Sequence, residues 1–423
     1  MLQVYRLLTY CFFPLLVIII YLRSFFNKEH KTRFKEKIFP SHFRIYKDNK
    51  KKLVWIHAAS IGEFLSIVPL INEIDKNYKN INFLITTVTL SSSKLFEKIF
   101  FQQNNIVHRF LPLDLENLSE SFLNNWKPDL VCFVDSEIWP NFLFKIKEKN
   151  ISLLLVNARI SKKSFDKWKI IFKFAKKVFN NFDLCLASSE ESKNNLSKFQ
   201  VKNLKYIGNL KYSVSSTLDE PKDINKKTLN KYNTWCAAST HDGEELVVLK
   251  THIEIKKKYD NILTIIVPRH INRSLDIENL SKKFNLNAQV FNDNDLIDTN
   301  VEILIINSFG VLPKYFNYCK NIFIGKSLIK KKKNVGGQNP IEAAKLGCKI
   351  FHGPYVYNFQ EVYDLLKSYG VTEEISNEIE LSEKIIKNLG NHNAINHQQI
   401  ELLNNFGKKI LKETITTIDK YLT

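Results

Sequence analysis

Leu53-Val-Trp-Ile-His-Ala-Ala-Ser-Ile-Gly-Glu63 is the stretch on which the fold turns. Its first six residues form an apolar run of strand length, and the Ala-Ser-Ile-Gly that closes the run is a small, permissive turn. Beyond it Leu65, Val68, Ile71 and Ile74 recur on one helix face. Strand, turn and amphipathic helix make one β–α unit. The unit repeats outward through NFLITTV (82–88), VHRFLPL (107–113), LVCFVD (130–135), SLLLVNA (152–158) and DLCLAS (183–188), with helix-length segments between most of them. Such alternation predicts a parallel sheet with helices on both faces.

The pattern lapses near 212–230 in a polar segment carrying Pro221, which reads as a linker. It resumes with TWCAAS (234–239), ILTIIVP (262–268), VEILIIN (301–307), NIFIG (321–325) and KIFHG (349–353). The expectation is an α/β chain of two tandem Rossmann-like, doubly wound domains, 28–213 and 214–423. The last helical stretches, about 379–422, are left with the second domain, although the pattern does not fix what they pack on. A length of 423 residues suits two domains of this kind.

Residues 1–27 stand apart. Leu7 to Leu22 carry no charge and would span about 24 Å as a helix, slightly short of a bilayer's hydrocarbon core. No small-residue cleavage site follows, so the segment reads as an uncleaved anchor, spanning the membrane or lying in its interface, with a removed signal peptide as the lesser alternative. Lys28, Lys31, Arg33, Lys35 and Lys37 follow it, against Arg6 before it, which places the body of the protein in the cytoplasm by the positive-inside rule.

The formal net charge is +19. Two readings stand side by side: a chain that uses Lys as its default surface residue, and attraction to an anionic partner such as phospholipid headgroups, a nucleotide or nucleic acid. The charge is spread along the chain, and no recognisable nucleic-acid module or basic stripe with interleaved aromatics occurs, so nucleic acid is not an expected partner. The six cysteines are scattered, several inside apolar runs, which indicates neither a disulfide framework nor a zinc site and fits a reducing compartment.

Ligands of open parallel sheets bind beyond the carboxyl ends of the strands, and the polar motifs lie there. Ser60, Gly62 and Glu63 follow the first strand; Glu63 is either a first-turn helix residue complementing the dipole or a general base. Asp135 and Glu137 follow the fourth run, where Asp135 or Ser136 could also cap the next helix; with Glu63 they would form an acidic rim. Arg159 adds a cation after the fifth run. Ser239, Thr240 and His241 open a helix in the second half and suit a phosphate or carboxylate, or serve simply as an N-cap. Arg269 ends the next run. Gly336 and Gly337 allow close backbone approach, Pro340 sits where a helix can begin, and Glu342 lies within that helix's first turn. A lysine run, Lys330–Lys333, precedes that turn.

No P-loop and no strand-linked GxGxxG occurs, which disfavours a plain ATPase or dehydrogenase. Asp293-Asn-Asp295 has the spelling of a metal-binding DxD, but it lies in a polar run without a neighbouring ligand set and reads as a loop. His57, His241, His270 and His352 lack zinc spacing.

Taken in order, WIHAASIGE (55–63), ITTVTLSS (85–92), VDSEIWPN (134–141), LVNARIS (155–161), ASTHDGEE (238–245), VPRHINR (267–273), GGQNPIEAAKLG (336–347) and GPYVYNFQE (353–361) resemble the Kdo transferases of lipopolysaccharide synthesis. The resemblance covers nearly the whole chain. It implies a GT-B fold, CMP-Kdo as donor, the lipid A precursor (lipid IVA) as acceptor, metal-independent inverting transfer without a cofactor, and catalysis at the cytoplasmic face of a Gram-negative inner membrane. Carried across, Glu63 is the general base and Asp135 or Glu137 the second acid. Ser239, Thr240, His241 and Arg269 face the donor phosphate and Kdo carboxylate. Gly337, Asn339 and Glu342 form the CMP turn, with Glu342 on the ribose; Ser60, Gly62, Arg159, Gly310 and Gly336 join the substrate-binding set. Departures are Asp135 where the family usually has Glu, Gln338 where it often has His, and Gly325-Lys326 in place of a Gly-Gly pair. Rival expectations are another GT-B enzyme using a UDP-sugar and a membrane lipid, or a catalytically degenerate GT-B sugar-binding protein.

Overall fold

The computed structural model describes residues 1–40, 51–214, 224–292, 295–308, 310–330, 336–389 and 397–423. Residues 215–223 of the linker, Pro221 among them, the Asp293-Asn294 pair, Lys331–Lys333 and Asn334 lie outside the described residues. Two compact units emerge, one built from Met1–Val214 with Phe406–Thr423, the other from Ser215–Asn405.

The first unit carries a seven-stranded parallel sheet: β1 (Lys52–His57), β2 (Ile81–Thr87), β3 (Ile106–Phe110), β4 (Leu130–Val134), β5 (Ser152–Ala158), β6 (Leu184–Ala187) and β7 (Leu204–Tyr206), in spatial order β3-β2-β1-β4-β5-β6-β7. The strands quoted above are buried because helices cover both faces, which is why they read as continuous apolar runs. Trp55 of β1 anchors the core on one face, its ring centroid 4.9 Å from Phe122 and 5.5 Å from Phe142.

The second unit repeats the architecture with β8 (Asn233–Thr240), β9 (Ile262–Pro268), β10 (Ala288–Phe291), β11 (Ile303–Ile306), β12 (Asn321–Ile324), β13 (Lys349–His352) and β14 (Thr372–Glu374), in order β10-β11-β9-β8-β12-β13-β14. Trp235, Ile266, Phe323 and Phe351 meet in its core. Each sheet is of the Rossmann type; the first reverses its strand order once, between β1 and β4, whereas in the second β11 inserts between β9 and β10 before the order turns again between β8 and β12.

Three strands were not legible in the sequence: β7, β10 and β14. All are short, and β7, β10 and β14 are the outermost strands, where one neighbour and partial exposure demand no long apolar run.

The chain's last helix, His397–Leu422, ends on the first unit, although the sequence leaves this segment with the second. Gly407 makes that docking close: a Cβ there would sit 1.9 Å from the Tyr212 carbonyl oxygen. Further along, Lys205 pairs with Glu413 at 3.3 Å and the Tyr78 hydroxyl donates to Asp419. Ile410, buried with Ile418 and Leu422, lies against Gly208; the exposed ion pair adds little.

The helix Leu2–Phe25 at the N-terminus is long and apolar enough to cross a membrane. Of the six cysteines, Cys11 lies exposed on this helix, and the other five are buried and free.

Candidate active site

Each unit carries a polar cluster at the carboxyl ends of its central strands. In the first, β1 runs out at His57 and the chain turns through Ala58–Ser60 into the helix Ile61–Asn77. Ser60 caps that helix by accepting from the Glu63 N–H, and Oε2 of Glu63 reaches back to accept from Ala59 N (2.7 Å) and Ser60 N (3.2 Å). This reciprocal capping box fixes the carboxyl where the strand ends. All of its hydrogen bonds among the described residues fall on Oε2, which leaves Oε1 without a protein donor. A Cβ at Gly62 would meet no protein atom, so packing does not require glycine there.

Burial pushes the Glu63 carboxyl above its ordinary range, and the charges of Glu137 and then Asp135 push it further; the two backbone N–H groups act in the opposite direction. The three carboxylates therefore do share one rim. Their environments differ. Glu137 Oε2 accepts the indole N–H of Trp139 at 2.8 Å and lies 3.3 Å from His57 Nε2. Burial alone would raise it, but the His57 contact and the Trp139 N–H outweigh burial and hold it below the usual carboxylate range.

His57 is itself oriented from behind. Trp55 Nε1 donates to the Thr86 hydroxyl at 2.8 Å, and that hydroxyl lies 2.9 Å from His57 Nδ1. Nδ1 also lies 3.1 Å from the Thr86 carbonyl oxygen; with the proton on Nε2 the ring donates to Glu137 and Nδ1 accepts from the Thr86 hydroxyl, an assignment made from the network. A buried polar chain thus connects the core tryptophan to the rim carboxylate.

Asp135 is held differently. It is buried and left-handed, with φ of 56°, and caps no helix; the following helix, Pro140–Glu148, has no side-chain cap. Asn157, also left-handed at φ of 54°, donates from Nδ2 to Asp135 Oδ1 and accepts from Leu210 N at 2.9 Å. Lys211 Nζ lies 3.5 Å from Asp135 Oδ2. Arg159 follows, its N–H donating to the Asp135 carbonyl, with its side chain partly exposed. Unfavourable backbone at two adjacent strand ends persists only where the surroundings enforce it, as these bonds do.

In the second unit Ser239 forms a bulge near the end of β8, with φ of 55° and a register shift between Ala238 and Thr240. A bulge re-aims side chains at a strand end. Thr240 is buried, whereas His241 is half-exposed, and its Nδ1 lies 3.0 Å from the Ser239 carbonyl oxygen. Burial lowers the affinity of His241 for a proton, and the nearby charge of Lys326 lowers it further.

The helix Glu244–Lys256 starts at Gly243, so neither Ser239 nor Thr240 is its N-cap. Glu244, buried, instead clamps two loops: its carboxylate accepts from His241 N (2.9 Å), Lys326 N (2.7 Å), Ser327 N (2.9 Å) and Leu328 N (3.1 Å). Arg269 is exposed and makes no ion pair among the described residues, while Arg273 is committed to Glu245 and Asp242.

The glycine turn is tightly built. A Cβ on Gly336 would lie 2.1 Å from the Tyr355 carbonyl oxygen, and Gly337 has φ of 83° and donates to the Lys326 carbonyl at 2.6 Å. Asn339 Oδ1 accepts from Ile341 N at 3.2 Å. The helix that begins there is only Ile341–Lys345, with Pro340 at its N-cap, so its dipole is weaker than the sequence suggested. Glu342 is exposed on its first turn. Gly310, with φ of 77°, stands between β11 and the next helix in open space.

The structure brings Ser60, Gly62, Glu63, Asp135, Glu137 and Arg159 to strand ends of one sheet, and Ser239, Thr240, His241, Arg269, Gly310, Gly336, Gly337, Asn339 and Glu342 to a strand end, loops and a helix start of the other. Sequence reasoning missed Thr86, Asn157, Lys211 and Glu244 as members of these clusters, and His57 as the partner of Glu137. Nothing in Asn-Leu-Lys211 marks a lysine for Asp135; the pairing depends on sheet order. Among the described residues no group of three His, Cys, Asp or Glu side chains converges to hold a metal ion.

The profile of the family described as 3-deoxy-D-manno-octulosonic-acid transferase (kdotransferase) matches residues 32–214. The 3-deoxy-D-manno-octulosonic acid transferase of Rickettsia bellii is 32% identical over 361 residues, covering 84% of this chain and 82% of that one. Its counterpart in Haemophilus influenzae is 28% identical over 374 residues, covering 87% and 85%. Among solved structures, UDP-GlcNAc 2-epimerase from Neisseria meningitidis matches at a TM-score of 0.58 with 13% identity, covering 86% of this chain and 100% of that one. That last likeness shows the fold alone.

Proposed function

The chain belongs to the 3-deoxy-D-manno-octulosonic acid (Kdo) transferase family, and from that premise we propose that it moves Kdo from CMP-Kdo to the lipid A precursor with Glu63 as general base. One observation carries the assignment: at the end of β1 the capping N–H groups hold Glu63 through Oε2 alone, whereas His57 and Trp139 hold Glu137, so that Glu63 is driven up and Glu137 held down. Two carboxyls whose surroundings separate their proton affinities take different roles. Glu63 receives the proton; Glu137 stays ionised and keeps Glu63 basic. Glu137 is thereby preferred to Asp135 as the second acid, because Asp135 is tied down by Asn157 and Lys211.

In the proposed step the acceptor's primary hydroxyl gives its proton to Glu63 while its oxygen bonds the anomeric carbon of Kdo. The bond from that carbon to the phosphate oxygen breaks on the opposite face, and CMP departs with the electron pair, so configuration inverts. Arg269 and Lys326 answer the donor's phosphate and carboxylate, and Glu342 answers the ribose. No metal ion or other cofactor enters this scheme. The acceptor is an anionic amphiphile, which fits an apolar N-terminal helix followed by exposed Lys28, Lys31 and Lys35, and we place the reaction at the cytoplasmic face of the inner membrane.

The test is transfer in membranes supplied with CMP-Kdo and a tetraacylated lipid A precursor, comparing wild type with Glu63→Gln. The amide keeps an oxygen for the capping N–H groups, so the helix start survives. Kdo-bearing product from wild type, absent in the variant while CMP binding persists, is expected. No product from a CMP-binding wild type would discard the acceptor; undiminished product in the variant would discard the base.

A further inference from the structure

The helix Leu2–Phe25 is long enough to cross a bilayer, yet it is fastened to the first unit near both ends. Near its start, the Tyr5 hydroxyl donates to Asp114 Oδ2 at 2.7 Å, Arg6 pairs with Glu116 at 2.8 Å, and Leu2 packs on the core formed around Trp55. Asp114 is buried and spends its other acceptor capacity on the N–H groups of Asn141 and Phe142, so it belongs to the α/β body. Further along, Phe13, Val17 and Ile20 pack with Phe34, Ile38 and Leu113. Only Leu7 to Phe12 lie between the two sets of contacts. A spanning helix needs about 20 residues clear of the aqueous body.

Angular position gives the same answer. At 100° per residue, Leu2, Tyr5, Arg6, Phe13, Val17 and Ile20 fall on one stripe, the one turned to the body. Val4, Leu7, Leu15, Ile18, Leu22 and Phe25 fall on the opposite stripe and are all exposed, Phe25 at 81%. The apolar stripe faces outward along the whole helix, and exposed Lys28, Lys31 and Lys35 follow its end. An apolar face bounded by cations complements an anionic lipid surface in which the helix lies parallel to the plane.

We propose that this helix does not cross the bilayer but lies in one leaflet's interface, with Leu7, Leu15, Ile18, Leu22 and Phe25 in the acyl boundary and both ends on the side of the first unit. The inference rests on the membrane-bound reading above and adds its orientation.

Membrane-impermeant maleimide labelling of the full chain decides it. In a Cys11→Ser background, the five remaining cysteines are buried. Gln3→Cys and Lys162→Cys, both at exposed positions, report the helix start and the body. In spheroplasts and in inside-out inner-membrane vesicles, both sites are expected to label from the same face. Labelling of Gln3→Cys from the opposite face, or from neither, overturns the in-plane orientation while leaving membrane binding intact. Recovery of the protein in the soluble fraction overturns the membrane reading and this inference with it.

Discussion

His57 Nε2 stands 3.3 Å from Glu137 Oε2, and His57 is fully buried. This contact, backed by Thr86 and Trp55, holds Glu137 down, while burial drives Glu63 up. The charge of Glu137, kept ionised, adds to burial in raising Glu63, and the expected pH dependence of transfer follows from that.

As the proposed general base, Glu63 works only when deprotonated, so the rate should fall as pH drops through its pKa, at a pH above that of an ordinary glutamate. Glu137→Gln removes a like charge. The acid limb of the kcat/KM profile should then move to lower pH, whatever happens to the maximal rate. A limb unmoved or shifted upward would show that Glu137 does not set the basicity of Glu63.

His57 and Glu137 should be energetically coupled. In urea denaturation, His57→Gln and Glu137→Gln each lower stability, but together they should lose less than the sum, with a coupling of about 0.5–3 kcal/mol. Additivity within error would mean that the contact contributes nothing.

Glu244→Gln tests the loop clamp. A carboxylate accepting four N–H groups becomes an amide that turns an NH2 toward some of them, leaving buried donors unmatched. A loss of about 1–3 kcal/mol is expected, together with weaker CMP binding, because Lys326–Leu328 and the His241 turn lose their common brace. Calorimetric binding and thermal unfolding of the same preparation check both.

Arg269 and Arg273 should part company. Arg269→Ala should weaken donor binding at least tenfold, about 1.4 kcal/mol, with the melting temperature unchanged, since its guanidinium has no protein partner among the described residues. Arg273→Ala should lower the melting temperature, because it leaves buried Glu245 without its cation. Equal effects of the two on binding would remove Arg269 from the donor set.

The doubly wound sheets were legible because their central strands are buried on both faces, which forces runs such as LVWIH and ILTIIVP. Strand ends holding Glu63, Asp135, Ser239 and Gly337 were legible because ligand-side loops of such sheets carry polar residues. What lay beyond reading was whatever depends on neighbours distant in sequence. Asn157 binds Asp135 because β4 and β5 are adjacent, Thr86 aligns His57 because β2 lies beside β1, and Lys211 arrives from beyond β7. Backbone strain was equally silent: Asp135, Asn157 and Ser239 are left-handed without being glycine, and composition cannot announce that. The N-terminal helix shows the same limit, since apolar length is visible in sequence and a hydrogen bond from Tyr5 to Asp114 is not.

The docking of Phe406–Thr423 on the first unit has a consequence for the order in which the molecule is made. Synthesis proceeds at about 5–20 residues per second, so the stretch between Val214 and Phe406 occupies the ribosome for roughly 10–40 s. Throughout that interval the surface around Tyr212, Gly208 and Tyr78 waits uncovered. The domain that emerges first is the last to be completed, and a gene cut at the linker would yield a first domain lacking its final helix.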